Sequence, residues 1–149
     1  MKIDEVVKAR FKNEHHKALV NIRYTSNWLS YKQNVQLQAF GLSLPQFNIM
    51  RILRGANEML SVSEIKERMI EKSPNTSRLI DKLLSKELLQ RVRCEKDRRV
   101  VYLQISQKGL DLLQQVDVYF DDVNLDKSLT TDEAKQLNDL LDKVRQELN

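Results

Sequence analysis

The chain has 149 residues, 41% of them apolar, and 25 Lys and Arg against 21 Asp and Glu give a formal net charge of +4. This length suits one domain with a core, and the apolar content excludes a disordered chain. Three Gly and two Pro predict a mainly helical fold, one Cys excludes an intrachain disulfide, and no apolar run approaches a membrane span or signal-peptide core, so we expect a soluble cytoplasmic protein.

The charges are unevenly distributed along the chain. Residues 1–60 carry nine Lys and Arg against four Asp and Glu, and residues 61–99 carry eleven against seven. Residues 111–149 reverse the sign, with four against ten. A basic body followed by an acidic segment favours a polyanionic partner for the basic part.

From about residue 4 to 39 the pattern predicts one long helix with two apolar stripes. The first stripe includes Phe11, Ile22 and Leu29, and the second contains Tyr24, Trp28, Tyr31 and Val35. A helix that is apolar on two sides normally packs between partners.

Three shorter helices follow, each with a start signal. Ser43 with Gln46, and Ser61 with Glu64, have the spacing of capping boxes. In "SPNTSRLIDKLLSKELL" Ser73 is the expected N-cap and Pro74 the first helical residue. The apolar period then changes from 3.6 to 2 in "QRVRC" and "VVYLQIS", which predicts a β-hairpin with a charged turn.

Two more helices are expected after Ser106. Phe120 lies on the apolar face of the first, and Thr130 with Glu133 forms a capping box at the start of the second. The apolar stripe of the second comprises Leu137, Leu140, Leu141, Val144 and Leu148.

Three short helices followed by a hairpin is the order of a winged helix-turn-helix, whose third helix enters the DNA major groove by its N-terminal turn. That turn is polar and basic here, and the positive end of the helix dipole favours an anion at the same place. The residues expected to contact DNA from this helix are Ser73, Asn75, Thr76, Ser77, Arg78 and Lys82.

The hairpin turn has the right composition to act as a DNA-contacting wing. Arg99 is predicted to enter the minor groove, where a narrow negative trough attracts arginine. Asp97 is two residues away and would brace Arg99 on an extended backbone. Lys96 and Arg98 are predicted phosphate contacts.

From residue 42 to 109 the sequence resembles the MarR family of winged-helix transcriptional regulators. The similarity lies in "LSLPQFNIMRIL", in "SPNTSRLIDKLLSKELLQR", and most specifically in "DRRVVYLQISQKG". The family commonly has Gly where this chain has Glu87. The recognition helix is therefore expected either to end without an easy left-handed residue or to run slightly longer.

The resemblance implies a mainly α fold with a small β-hairpin wing, in a single domain covering residues 1–149. Within it, a DNA-binding lobe would span about 42–106, and dimerisation helices about 4–39 and 107–149. It implies a homodimer. The residues expected to form its interface are Phe11, Ile22, Phe120, Leu137, Leu141, Val144 and Leu148. By the same resemblance, Tyr24, Trp28 and Tyr31 would line a crevice for a small-molecule effector.

The expected function is therefore sequence-specific binding of double-stranded DNA at a near-palindromic operator, as a ligand-responsive repressor. The alternative is a winged-helix module that binds proteins. No enzyme motif, cofactor or metal site is expected, since adjacent His15 and His16 point about 100° apart on a helix. Cys94 beside Arg93 and Lys96 has the charges of a redox switch, although it alternates onto the apolar side of the hairpin.

Overall fold

The computed structural model describes residues 1–8, 10–71, 74–93, 101–123 and 128–146. The elements follow the order α1 (Ile3–Val7), α2 (Glu14–Gln38), α3 (Leu44–Ala56), β1 (Leu60–Ser61), α4 (Val62–Arg68), α5 (Thr76–Ser85), β2 (Leu89–Arg93), β3 (Val101–Ile105), α6 (Gln107–Val123) and α7 (Thr131–Gln146). Residues 1–113 form one compact unit and residues 114–149 a second. The prediction of a mainly helical winged helix is confirmed. No helix within the described ranges combines the length and apolarity needed to cross a bilayer.

The prediction of one continuous helix from residue 4 to 39 is wrong. Lys8 ends α1 in the left-handed conformation, with φ at 49°. Asn13 then starts α2, because its side-chain Oδ1 accepts a hydrogen bond from the His16 N–H at 2.8 Å. Phe11 therefore precedes α2 instead of lying on its stripe, and its ring packs edge-on against His16.

The start signals of α3 and α4 are confirmed as two complete capping boxes. The Ser43 N–H donates to Gln46 Oε1 at 3.0 Å, and the Ser61 N–H donates to Glu64 Oε2 at 2.7 Å. The two hydrogen bonds from Ser61 lower the pKa of Glu64 below its ordinary value. Each box satisfies N–H groups that a helix start would otherwise leave unpaired.

An asparagine joins α2 to the start of α3. Asn34 Oδ1 accepts the Leu44 N–H at 2.9 Å, and its Nδ2 donates to the Ser30 carbonyl at 3.0 Å. The turn between these helices closes at Gly41, whose φ of 65° suits glycine. The N–H of Leu42 then reaches back to the Leu37 carbonyl at 3.1 Å, which completes a Schellman motif.

The three strands form an antiparallel sheet in the order β1-β3-β2. Arg91 pairs with Leu103 and Val92 with Tyr102, so the predicted hairpin is present, whereas β1 was not predicted. Helix α5 packs on β2 and α3 packs on β3. The core of this lobe is formed by apolar side chains that are at most 4% exposed, including Phe47, Ile49, Met50, Leu53, Leu60, Ile65, Ile80, Leu83, Leu89 and Leu103.

The second unit contains the end of α6 and helix α7. Thr130 and Glu133 cap α7 as predicted, since the Thr130 N–H donates to Glu133 Oε2 at 2.8 Å. The described residues of α7 include no buried side chain. Its apolar stripe is therefore largely open, with Leu137, Leu140 and Val144 each at least 40% exposed.

Candidate nucleic-acid interface

Helix α5, the predicted recognition helix, begins two residues later than its sequence suggested. Pro74 and Asn75 form a turn, and the helix starts at Thr76 with Asn75 in the N-cap position. The predicted N-cap, Ser73, lies outside the described residues. The backbone of Asn75, with φ at −93° and ψ at 12°, differs from the extended conformation usual for an N-cap.

Thr76 is buried, which contradicts the prediction that its side chain faces DNA. Its side chain is only 1% exposed, and its hydroxyl donates to Met69 Sδ at 3.7 Å. This weak sulfur contact gives the hydroxyl a partner inside the lobe. The residue therefore anchors the first turn of α5 to the end of α4, and its buried side chain is not available to contact DNA.

The remaining predicted residues of α5 lie on an exposed face. Asn75, Ser77, Arg78 and Lys82 are exposed, whereas Ile80 and Leu83 on the other side are buried in the core. Within the part of the chain that the structure describes, Arg78 and Lys82 form no ion pair. The exposed face thus combines the Ser77 hydroxyl and the Arg78 guanidinium in the first turn of the helix with the Lys82 ammonium in its last turn.

An acidic residue on the same face has a basic partner that was not predicted from the sequence. Asp81 Oδ1 accepts a hydrogen bond from Arg91 Nη2 at 2.8 Å, which joins α5 to β2. The strand period offered a signal, because Arg91 falls on the side of β2 that carries buried Leu89. The Arg91 side chain is nevertheless 59% exposed, because its guanidinium extends past the sheet to α5.

The wing is carried by β2 and β3, and its strands run to Arg93 and from Val101. The predicted contacts at its tip, Lys96, Asp97, Arg98 and Arg99, lie outside the described residues, as does Cys94. Their roles stay predictions. A side-chain hydrogen bond from Gln104 Nε2 to Gln90 Oε1 at 3.1 Å adds to the ladder between the two strands.

The start of the wing is fixed by Glu87, which itself adopts the left-handed conformation. Its φ is 60°, its N–H donates to the Leu84 carbonyl at 2.9 Å, and the Leu88 N–H donates to the Leu83 carbonyl at 3.0 Å. These two bonds are those of a Schellman motif, in which glycine is the usual residue at this position. The helix ends sharply in spite of the missing glycine, at the cost of local backbone strain.

The end of the wing is fixed by Ser106 and Gly109, the two residues that frame the start of α6. Ser106 Oγ donates to the Glu87 carbonyl at 2.7 Å and accepts the Gly109 N–H at 3.0 Å. The Ser106 N–H donates to the Leu88 carbonyl at 3.0 Å. A Cβ on Gly109 would lie only 2.3 Å from that carbonyl oxygen, so the close approach requires glycine. This cluster gives a physical reason for the Ile-Ser-x-Lys-Gly motif.

The three aromatic residues predicted to line an effector crevice differ in exposure. Tyr24 is half-buried, whereas Trp28 and Tyr31 are 38% and 66% exposed. Val35, on the same stripe, is also exposed. Most of this side of α2 is therefore open in the single chain.

The predicted interface residues are also largely open to solvent. Ile22, Phe11, Phe120 and Leu141 are half-buried, Leu137 and Val144 are exposed, and Leu148 lies outside the described residues. Phe120 packs edge-on against the Tyr119 ring, with the centroids 6.3 Å apart. Leu140, on the same stripe of α7, is 63% exposed and belongs with this set.

The two adjacent histidines have different surroundings. His15 is exposed, and His16 Nδ1 accepts the Lys12 N–H at 3.3 Å. Across the described ranges there is no group of three or more His, Cys, Asp or Glu that could hold a metal ion.

Comparison with known proteins places this lobe in a family. Residues 42–101 match the model of the MarR family. The matched segment contains α3, β1, α4, α5 and β2. The resemblance to the MarR family that the sequence indicated is thereby confirmed. The regulator MgrA of Staphylococcus aureus is 28% identical over 114 residues, which cover 76% of this chain and 77% of MgrA.

Solved structures show that the similarity of fold extends over nearly the whole chain. A MarR-like transcription regulator from Bacillus cereus superposes with a TM-score of 0.79 at 23% identity, covering 91% of this chain and 99% of that one. A mutant of E. coli MarR complexed with operator DNA superposes with a TM-score of 0.73 at 24% identity, with the same coverage. The fold shared with these two structures therefore includes helices outside residues 42–101.

Proposed function

We propose that this MarR-family protein regulates transcription by binding a specific DNA sequence with α5 and the wing. The observation that carries the proposal is the exposed face of α5, where Ser77, Arg78 and Lys82 stand clear of the core. A helix end of this kind suits the major groove because its side chains can reach base edges and phosphates together. MgrA is a transcriptional regulator, and the E. coli MarR structure contains operator DNA.

Arg78 and Lys82 are expected to contribute in different ways. Arg78 lies in the first turn of α5, where a guanidinium can bind the O6 and N7 atoms of guanine. Lys82 lies one turn later and is better placed for phosphate. Thr76, which is buried, takes no part through its side chain.

Fluorescence anisotropy tests this proposal by measuring binding to DNA duplexes taken from the region upstream of the gene that encodes this chain. Arg78→Ala is expected to lose about 1–3 kcal/mol of operator binding and to relax discrimination at one base pair. Lys82→Ala is expected to weaken operator and shuffled duplexes equally. Lys32→Ala, an exposed lysine on α2, is the matched control. Parental binding that is weak and indifferent to sequence would instead support a protein-binding module.

We further propose that the protein acts as a homodimer through α7 and the N-terminal helices. The supporting observation is the exposed stripe of Leu137, Leu140 and Val144, since a soluble helix rarely leaves such a row open. Two recognition helices would then require half-sites about one DNA turn apart, which makes the operator nearly palindromic. Leu140→Glu is expected to sediment as a monomer, whereas Gln136→Glu on the same helix should sediment as the parent does.

We also propose that the protein is a repressor that releases its operator when it binds a small-molecule effector. A small aromatic molecule that inserts beside Tyr24, Trp28 and Tyr31 would favour one dimer arrangement over another and so change the spacing of the wings. Trp28 is the single tryptophan, so its fluorescence reports directly on this site. Titration with a panel of phenolic acids should quench Trp28 and release operator in parallel. Quenching without any change in operator binding would contradict this proposal.

A further inference from the structure

The ion pair between Asp81 and Arg91 lies where the recognition helix meets the first wing strand. Arg91 Nη2 is 2.8 Å from Asp81 Oδ1, and the two side chains are 59% and 63% exposed. Asp81 follows Arg78 by three residues and Ser77 by four, so all three share one exposed face of α5. The pair therefore lies on the surface already proposed to face DNA.

The position of Arg91 on β2 explains how its guanidinium reaches this surface. Strand alternation places Arg91 on the side of the sheet that carries Leu89, and the antiparallel register places it opposite Leu103. Both leucines are at most 3% exposed. The aliphatic part of an arginine can follow an apolar surface while its charged end stays in water, and here that end meets α5.

The exposure of the pair indicates that stability is not its main contribution. Ion pairs this open to solvent add little to the free energy of folding. Asp81 engages only Nη2, and Arg91 forms no second ion pair among the residues that the structure describes. A guanidinium has five N–H donors, so Arg91 retains donors for a phosphate while it stays beside Asp81.

We propose that Arg91 is a phosphate-binding residue and that Asp81 is a positioning residue, which holds the guanidinium at the edge of the recognition helix. This inference rests on the proposed function and adds to it a contact and its orienting partner. The charge of Asp81 also matters when Arg91 is removed. Without Arg91, its carboxylate would face the DNA backbone unneutralised and would repel it.

The salt dependence of DNA binding tests the role of Arg91. Arg91→Gln is expected to weaken binding to operator and to shuffled duplex by the same factor, because phosphate contacts carry no sequence information. The slope of log affinity against log salt should fall by about one for each bound protomer. Arg23→Gln, on exposed α2, removes the same charge and should keep the parental slope. Both variants should melt as the parent does.

A double-mutant cycle tests the role of Asp81. In the Arg91→Gln background, Asp81→Asn should recover several-fold of the lost affinity, because it removes the unneutralised carboxylate. In the parent, Asp81→Asn should change affinity less, because Arg91 already neutralises Asp81. An equal effect in both backgrounds would show that the two residues do not act together at DNA.

DNA binding by the parent distinguishes failure of this inference from failure of the proposed function. A parent that binds operator and shuffled duplex equally would overturn the proposed function itself. A parent that discriminates, combined with an Arg91→Gln variant of parental slope, would overturn the assignment of Arg91 alone.

Discussion

Replacing Gly109 with alanine sets two physical effects against each other. Helix propensity alone favours alanine by about 1 kcal/mol at a helical position. The structure opposes it, because the new Cβ would lie 2.3 Å from the Leu88 carbonyl oxygen and 2.8 Å from Ile105 Cγ1. The carbonyl does not move freely, because it is backbone that accepts the Ser106 N–H at 3.0 Å.

The magnitude follows from what must shift to relieve this contact. Overpacking of a close-packed site costs about 1–3 kcal/mol. Loss of the hydrogen bond from Ser106 adds about 1 kcal/mol. After subtraction of the gain in propensity, we expect Gly109→Ala to lower the free energy of unfolding by about 2 kcal/mol. Because Leu88 precedes β2 and Ile105 ends β3, operator affinity should fall as well.

Urea denaturation followed by circular dichroism measures this change, and Gly55→Ala is the matched control. Gly55 lies in the last turn of α3 with no atom within 4 Å of its added Cβ, so alanine there should be neutral or stabilising by up to about 1 kcal/mol. The reasoning would be refuted if Gly109→Ala were as stable as Gly55→Ala.

Three other changes have expected outcomes. Glu87→Gly should raise the free energy of unfolding by about 0.5–1 kcal/mol in urea, because glycine relieves the left-handed strain, and unchanged stability would contradict that. Because bonds from Ser61 lower the pKa of Glu64, the folded state should lose stability as pH falls below about 5. Glu64→Gln should flatten that loss in acid melts, and an unchanged pH profile would argue against it. Arg99→Ala should lose about 1–3 kcal/mol of operator binding and Asp97→Ala less, and parental affinity in both would refute the wing assignment.

Much of the fold could be predicted because its signals are local. The capping boxes at Ser43, Ser61 and Thr130 were legible as pairs of residues three apart, and each is present. The switch of apolar period from 3.6 to 2 correctly located the hairpin. Strand β1 gave no such signal, because two residues are too few for an alternating pattern and Ser61 also caps α4.

Two errors remain: one concerns a residue that packs against another helix, and the other concerns a break within the first helical segment. Polarity suggested that Thr76 faces outward, yet α5 packs so that its hydroxyl reaches Met69. Apolar periodicity carried a helix through residues 8–13, where the Lys8 backbone and the Asn13 cap divide it. Side-chain type alone could not distinguish these cases.

By itself the sequence determined which segments are helical or extended, where most helices begin, and which faces carry charge, since these depend on neighbours within about one turn. Only the tertiary structure decided that Asp81 meets Arg91, that Glu87 takes the left-handed conformation, and that Gly109 lies against the Leu88 carbonyl. The ion pair and the Gly109 contact depend on how close two separate segments approach, and close packing fixes that distance only once the core has formed. Glu87 ends its own helix, but its carbonyl is held by the Ser106 hydroxyl from beyond the wing.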